Sequence, residues 1–170
     1  IYPNKKNIKP TTKKIRNIIF NIIGELIVNS NILDLFSGSG ILSFESVSRK
    51  AKNIVMIEND YITYKSIIKN KLKYNINNIS IYNIKSQLWL KNKKNIKKKF
   101  NIIFIDAPYY SDTLLEILNI IKNENIIEKE GIIYIETKNN IDYFQLKKKW
   151  EIIYRMEKNQ TKIYIIKNNE

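Results

Sequence analysis

Two side chains are missing altogether from these 170 residues: cysteine and histidine. Without cysteine there is no disulfide framework, no thiolate zinc site and no cysteine nucleophile. Without histidine the chain lacks the usual metal ligand, the base of a Ser-His triad and the commonest general base. Glycine and proline are sparse, four and three, so each one marks a place where the backbone must turn or stop. No apolar run approaches the length that crosses a bilayer, which excludes a membrane-spanning helix. Chemistry here must run on carboxylates, amides, backbone groups or a cofactor, and no metal site is expected.

Charge of one sign dominates what is present. Thirty basic residues face sixteen acidic ones, a net charge of +14, a balance that favours nucleic acid or another polyanion as partner. Only Arg16, Arg49 and Arg155 are arginine; the abundance of lysine, asparagine and isoleucine is also what an A+T-rich genome writes. At 44% hydrophobic the chain can bury a core, and its length suits one domain spanning 1–170, with an extended arm over 1–12. No secretory h-region is visible, so the cytoplasm is the expected compartment.

Alternating strand and helix signals run through 31–136. A helix capped by Thr11 or Thr12 carries Ile15, Ile18, Ile19, Ile22 and Ile23 and stops near Gly24. Strands are expected at Ile32–Phe36, Ile54–Ile57, Ile79–Tyr82, Phe100–Ile105 and Gly131–Glu136, and helices from Ile41, over 61–75 and over 112–123. An amphipathic stretch over 86–98 degenerates into a lysine-rich run. The tail holds two β-rich runs, Trp150–Tyr154 and Lys162–Ile166, close enough to pair as a hairpin around Asn159. This order predicts a mostly parallel sheet covered on both faces.

In such sheets ligands sit beyond the carboxyl ends of the strands. Three groups collect there: Asp34 to Gly40, Glu58 to Asp60 and Asp106 to Tyr110. Gly38 and Gly40 let the backbone turn tightly and approach a ligand. Glu58, ending the next strand, offers a carboxylate that accepts both hydroxyls of a ribose, as in dinucleotide-binding folds. Asp106-Ala107-Pro108-Tyr109 sets a carboxylate, a pre-proline carbonyl and an aromatic ring side by side. Pro108 holds Ala107 extended, so one side-chain and one backbone acceptor can take the two hydrogens of an exocyclic amine, while Tyr109 stacks on the base.

Asp34-Leu-Phe-Ser-Gly-Ser-Gly40, Ile57-Glu-Asn-Asp60 and Asp106-Ala-Pro-Tyr109 resemble the motifs of S-adenosylmethionine-dependent amino-methyltransferases. The leader Lys9-Pro-Thr-Thr-Lys-Lys-Ile-Arg16 and the helix start Gly40-Ile-Leu-Ser-Phe-Glu45 narrow the resemblance to the bacterial 16S ribosomal RNA guanine-N2 methyltransferase family. It implies an α/β, Rossmann-like class I methyltransferase fold, a seven-stranded mostly parallel sheet with an antiparallel last strand and helices on both faces. It implies S-adenosyl-L-methionine as cofactor, with Asp34, Phe36, Gly38 and Gly40 along its methionine part, Glu58 on the ribose, and Asn59 and Lys85 by the adenine. Asp106, Ala107, Pro108 and Tyr109 become the catalytic loop. Lys9, Thr11, Thr12, Lys13 and Arg16 become the RNA contact, on small-subunit rRNA in a partly assembled 30S subunit, with the enzyme a monomer.

Some positions depart from the family pattern. Alanine stands at 107 where proline is usual, lysine at 85 where a small polar or acidic residue is usual, and Ser43 where glycine is usual. The glycine- and arginine-rich arm that the resemblance implies before the Pro-Thr-Thr segment is expected to be missing or eroded. Rival readings are an amino-methyltransferase on DNA adenine or a protein amide, and an RNA-binding protein of the same fold without turnover. The Lys93–Lys99 run is a second candidate for phosphate contact, behind the N-terminal arm.

Overall fold

In the computed structural model, which describes residues 13–106, 111–138, 141–158 and 160–169 (backbone alone at 111–113), seven strands form one sheet in the order β3-β2-β1-β4-β5-β7-β6. The strands are β1 (Asn31–Asp34), β2 (Asn53–Ile57), β3 (Ile79–Tyr82), β4 (Phe100–Asp106), β5 (Ile127–Thr137), β6 (Glu151–Lys158) and β7 (Thr161–Lys167). The first five run parallel, and β7 lies antiparallel between β5 and β6. The expected fold, with its antiparallel last strand and C-terminal hairpin, is the observed one; Asn159, at the hairpin turn, lies outside the described residues.

The central strands read as apolar runs because both faces are covered. Ile102, Ile103, Phe104 and Ile105 of β4 are all without exposure, and β-branched and aromatic side chains suit a pleated surface buried on both sides. On one face Ile32, Met56, Phe104 and Tyr134 meet α1 (Lys13–Ile23), a 3-10 turn at Gly24–Ile27, α2 (Ile41–Ser48) and α3 (Tyr61–Lys73). On the other, Leu33, Ile57, Ile103 and Ile135 meet α4 (Ser86–Lys91), α5 (Ser111–Asn123) and α6 (Tyr143–Lys149). Each isoleucine or leucine so buried stabilises the fold by about 1.5–3 kcal/mol.

The strand expected to reach Phe36 ends at Asp34, the strand expected to end at Tyr154 runs on to Lys158, and three further elements differ more from the sequence expectation. Helix α6 was not expected; Asp142 caps it, its carboxylate accepting the Phe144 and Gln145 N–H groups at 2.9 and 3.2 Å, and a lone buried Leu146 is too little periodicity to betray seven residues. Helix α4 ends at Lys91, because Asn92 and Asn95 turn the chain: Asn92 Oδ1 accepts the Lys94 N–H (3.0 Å) and Asn95 Nδ2 donates to the Trp89 carbonyl (2.9 Å). The fifth strand begins at Ile127, not Gly131. Phe100 pairs with Ile127 and Ile102 with Ile132, so β5 takes five steps where β4 takes two, and the excess bulges out. Glu130 sits there at φ 63°. Gly131 is needed there because a Cβ would lie 2.6 Å from Ile127 Cγ1 and 2.8 Å from the Glu128 carbonyl oxygen.

The order 3-2-1-4-5 reverses between β1 and β4. At such a switch the connections leave in opposite directions and open a crevice at the carboxyl ends. Asp34 ends β1, and Asp106 ends β4.

Candidate active site at the carboxyl edge

The chain leaves β1 into a turn built for close approach. Gly38 and Gly40 stand at φ 50° and 76°, and the Gly40 N–H donates to the Ser37 carbonyl. A Cβ on Gly40 would come within 2.8 Å of the Phe44 ring and 2.9 Å of Met56 Cε, so glycine serves both conformation and packing. Phe36 is half-buried against the core. Ser86, at the start of α4, donates its hydroxyl to the Leu35 carbonyl, fixing that helix to the strand end beside the turn.

Glu58 lies one strand over, half-buried. Its Oε2 accepts the Gly38 N–H (2.9 Å) and its Oε1 the Asp60 N–H (2.7 Å). Burial raises its proton affinity and those two N–H groups pull it back. Each oxygen retains lone-pair capacity, so this oriented carboxylate fits a vicinal diol. Asn83 donates to the carbonyls of Glu58 (2.7 Å) and Asn59 (3.1 Å) and so fixes this corner. Asn59 itself is exposed at the rim, and Lys85 is exposed just ahead of α4.

Asp34 is buried, 3% exposed, and Ser43 of α2 donates its hydroxyl to Asp34 Oδ2 at 2.6 Å. Burial pushes the carboxyl up to about 7; the Ser43 bond opposes this and the Glu58 charge adds to it. A carboxyl that titrates there can meet a ligand cation, such as an amino-acid ammonium group, by giving up its proton.

Asp106 pairs in register with Glu136 of β5, and parallel register partners project to the same face. Burial first, then the charges of Glu136 and Asp34, hold Asp106 well above the usual carboxylate range. Buried Tyr134 donates its hydroxyl to Glu136 Oε2 (2.6 Å), and burial and that carboxylate hold its hydroxyl protonated well above the usual tyrosine range. Ala107, Pro108 and Tyr109 lie outside the described residues, as do Lys9, Thr11 and Thr12. Lys13 opens α1 exposed, with Arg16 half-buried one turn on.

The fold therefore brings Asp34, Phe36, Gly38, Gly40, Glu58, Asn59, Lys85 and Asp106 to one edge of the sheet. Sequence reading missed the Tyr134–Glu136 pair and Asn83; the signal for the first was a Tyr-x-Glu ending a strand beside Asp106. The glycine turn and the strand-end carboxylate fit the methionine and ribose parts of S-adenosylmethionine. Among the described residues no group of three acids is placed to hold a metal ion, and no helix is long and apolar enough to cross a membrane.

A seven-stranded sheet with this order, an antiparallel seventh strand and a glycine turn at the switch point defines a class I methyltransferase fold. Its overlay with a solved candidate methyltransferase from Escherichia coli gives a TM-score of 0.83 at 25% identity, over 96% of this chain and 89% of that one. The chain belongs to the family described as Conserved hypothetical protein 95, whose model matches residues 1–167. It is similar to the "Ribosomal RNA small subunit methyltransferase D" of Buchnera aphidicola, 34% identical over 96% of this chain and 84% of the relative. The protein of the same name in Escherichia coli K12 is 31% identical over 79% of this chain and 67% of the relative.

Proposed function

We propose that this protein transfers a methyl group from S-adenosyl-L-methionine to the exocyclic N2 amine of a guanine in small-subunit rRNA. One observation carries the reading: a ribose-type carboxylate (Glu58), a carboxyl titrating near 7 (Asp34) and an amine-type acceptor (Asp106) end three adjacent strands of a class I methyltransferase sheet. The names of the relatives support rRNA as substrate, and the net charge of +14 favours nucleic acid over a protein amide.

When bound, S-adenosylmethionine supplies a methyl group on a positively charged sulfur. The chain's part is positioning and electrostatics. Glu58 orients the ribose, and ionised Asp34 meets the ammonium end. Guanine N2 is a poor nucleophile because its lone pair is spread into the ring. Asp106 accepts a hydrogen bond from one N–H and the Ala107 carbonyl accepts one from the other, which favours a pyramidal nitrogen aimed at the methyl group. The N–H proton that the methylated nitrogen must shed would leave along the Asp106 hydrogen bond. Ionised Asp106 stabilises the positive charge that grows on that nitrogen, and Tyr109 stacks on the base. The same reading has the enzyme acting as a monomer on a partly assembled 30S subunit in the cytoplasm.

The test is transfer of labelled methyl groups to small-subunit rRNA, naked and in subunits, followed by nucleoside mass analysis. N2-methylguanosine is the expected product. N6-methyladenine in DNA or label in protein would point to the rival acceptors.

A further inference from the structure

On the edge of the sheet away from Asp106 the molecule has a second concave surface. Strand β6 starts there, with Glu151 paired to Lys167 and Lys167 in turn to Ile132, near the start of the central run of β5. A groove of about 440 Å³ runs between the end of α5 and the α6–β6 junction, lined by Lys122, Tyr143, Lys147, Lys148, Lys149 and Trp150. That volume lies within the range of ligand clefts. Against four lysines the lining includes a single acid, Glu151.

The packing of α6 creates this charge. Leu146 and Trp150, four residues apart, are buried, so Lys147, Lys148 and Lys149 between them all face outward and are exposed. Neighbouring groups orient two of the lysines. Lys149 Nζ donates to Asn119 Oδ1 (2.9 Å) and Lys122 Nζ to Asn168 Oδ1 (3.1 Å), with Lys122 also 5.1 Å above the Trp150 ring. Beside the groove Phe144 is 76% exposed. Its ring is braced edge-on by Tyr143 at 5.9 Å, over which Arg155 sits at 5.3 Å. Oriented cations next to an exposed aromatic ring are what a single-stranded ribose–phosphate chain requires. A bilayer surface would instead need an apolar helix face turned outward, and α6 spends Leu146 on the core.

We infer that this groove binds the sugar–phosphate backbone of RNA, with Phe144 stacking on an unpaired base, as a second contact remote from the methyl-transfer crevice. The inference rests on the reading that RNA is the substrate and extends it to a surface that the N-terminal motif does not include.

The test compares the triple variant Lys147→Gln/Lys148→Gln/Lys149→Gln with the control Lys65→Gln/Lys69→Gln/Lys73→Gln, which removes equal charge from exposed positions on α3. Binding of a small-subunit rRNA fragment is followed by fluorescence anisotropy across a potassium chloride series, with thermal unfolding as the check on folding. The groove variant is expected to bind at least tenfold more weakly at 150 mM salt than the parent. Its log–log salt slope should fall by about 2–3, at 0.7–0.9 per lost phosphate contact, while the control stays close to the parent. Phe144→Ala is expected to weaken binding severalfold with the slope unchanged. Equal affinity and slope in parent and groove variant, or an equal loss in the control, overturns the inference. So does binding to phosphatidylserine vesicles that the groove variant loses while RNA affinity is kept. Because binding is read without turnover, an enzyme that methylates no RNA would refute the proposed function and leave this result standing on its own.

Discussion

The hydroxyl of Ser43 donates to Asp34 Oδ2 at 2.6 Å, with both side chains buried. Helix α2 thus reaches back to the strand end it grew from and supplies a donor to a carboxylate that burial would otherwise keep neutral.

The Asp34 carboxyl, at about 7 when folded against an ordinary 3.8, makes stability depend on pH. A raised folded value means the folded state holds a proton that the unfolded chain has lost. The stability it brings is full below the unfolded value and disappears as pH rises through about 7. Asp34→Asn removes this penalty and keeps an acceptor for Ser43. Relative to the parent, it is expected to gain about 2–4 kcal/mol between pH 4 and pH 8. Denaturant unfolding of both proteins at the two pH values checks this. Ser43→Ala should do the opposite at pH 8, costing about 1–2 kcal/mol.

Glu58 holds the glycine turn as well as the expected ribose. Glu58→Ala leaves the N–H groups of Gly38 and Asp60 without their acceptor, and should weaken S-adenosylmethionine binding by about 1–3 kcal/mol. Glu58→Gln keeps one acceptor oxygen and should retain more of the fold than of the affinity. Titration calorimetry and thermal unfolding on the two variants separate these effects; unchanged affinity in both would leave Glu58 a brace of the turn with no part in donor binding.

Gly40→Ala combines a left-handed backbone with a Cβ closer than 3 Å to both Phe44 and Met56. The two penalties together are expected to cost about 2–3 kcal/mol. Chemical denaturation measures the loss. Donor affinity should fall further than at Gly24, where a Cβ meets nothing within 4 Å.

Asp106 must be ionised to stabilise a growing positive charge, and its proton is held above the usual carboxylate range by burial, Glu136 and Asp34. Methyl transfer should therefore rise with pH through an acid limb that lies above ordinary carboxylate values. Glu136→Gln removes one of the charges that raise it and should move that limb to lower pH. Single-turnover rates against pH for parent and variant test the shift; an unmoved limb would separate Glu136 from Asp106.

Much of this site was legible because its signals are local. The apolar runs of β1, β2 and β4 mark strands buried on both faces, and glycine at 38 and 40 marks the turn after the first. Glu58 directly follows β2 and Asp106 ends β4, which puts them at one edge by topology alone. What stayed hidden was long-range. Ser43 meets Asp34 only because α2 folds back, whereas the Tyr134–Glu136 pair is local, two residues apart on β5, and went unread because only the fold sets it beside Asp106. The bulge before Gly131 concealed four residues of β5, and a single apolar position concealed α6. The lysine groove joins Lys122 to Lys147–Lys149 across segments that no motif connects.

The most direct test of the central claim is single-turnover methylation of small-subunit rRNA by Asp106→Ala, with S-adenosylmethionine affinity measured on the same protein. Asp106 is assigned to the substrate amine and not to the cofactor. The rate should therefore fall by on the order of a hundredfold or more while donor affinity stays near the parent's. Asp106→Asn, which keeps an acceptor oxygen without the charge, should fall between the two. An Asp106→Ala enzyme that methylates at the parental rate would contradict the assignment of this carboxylate to catalysis.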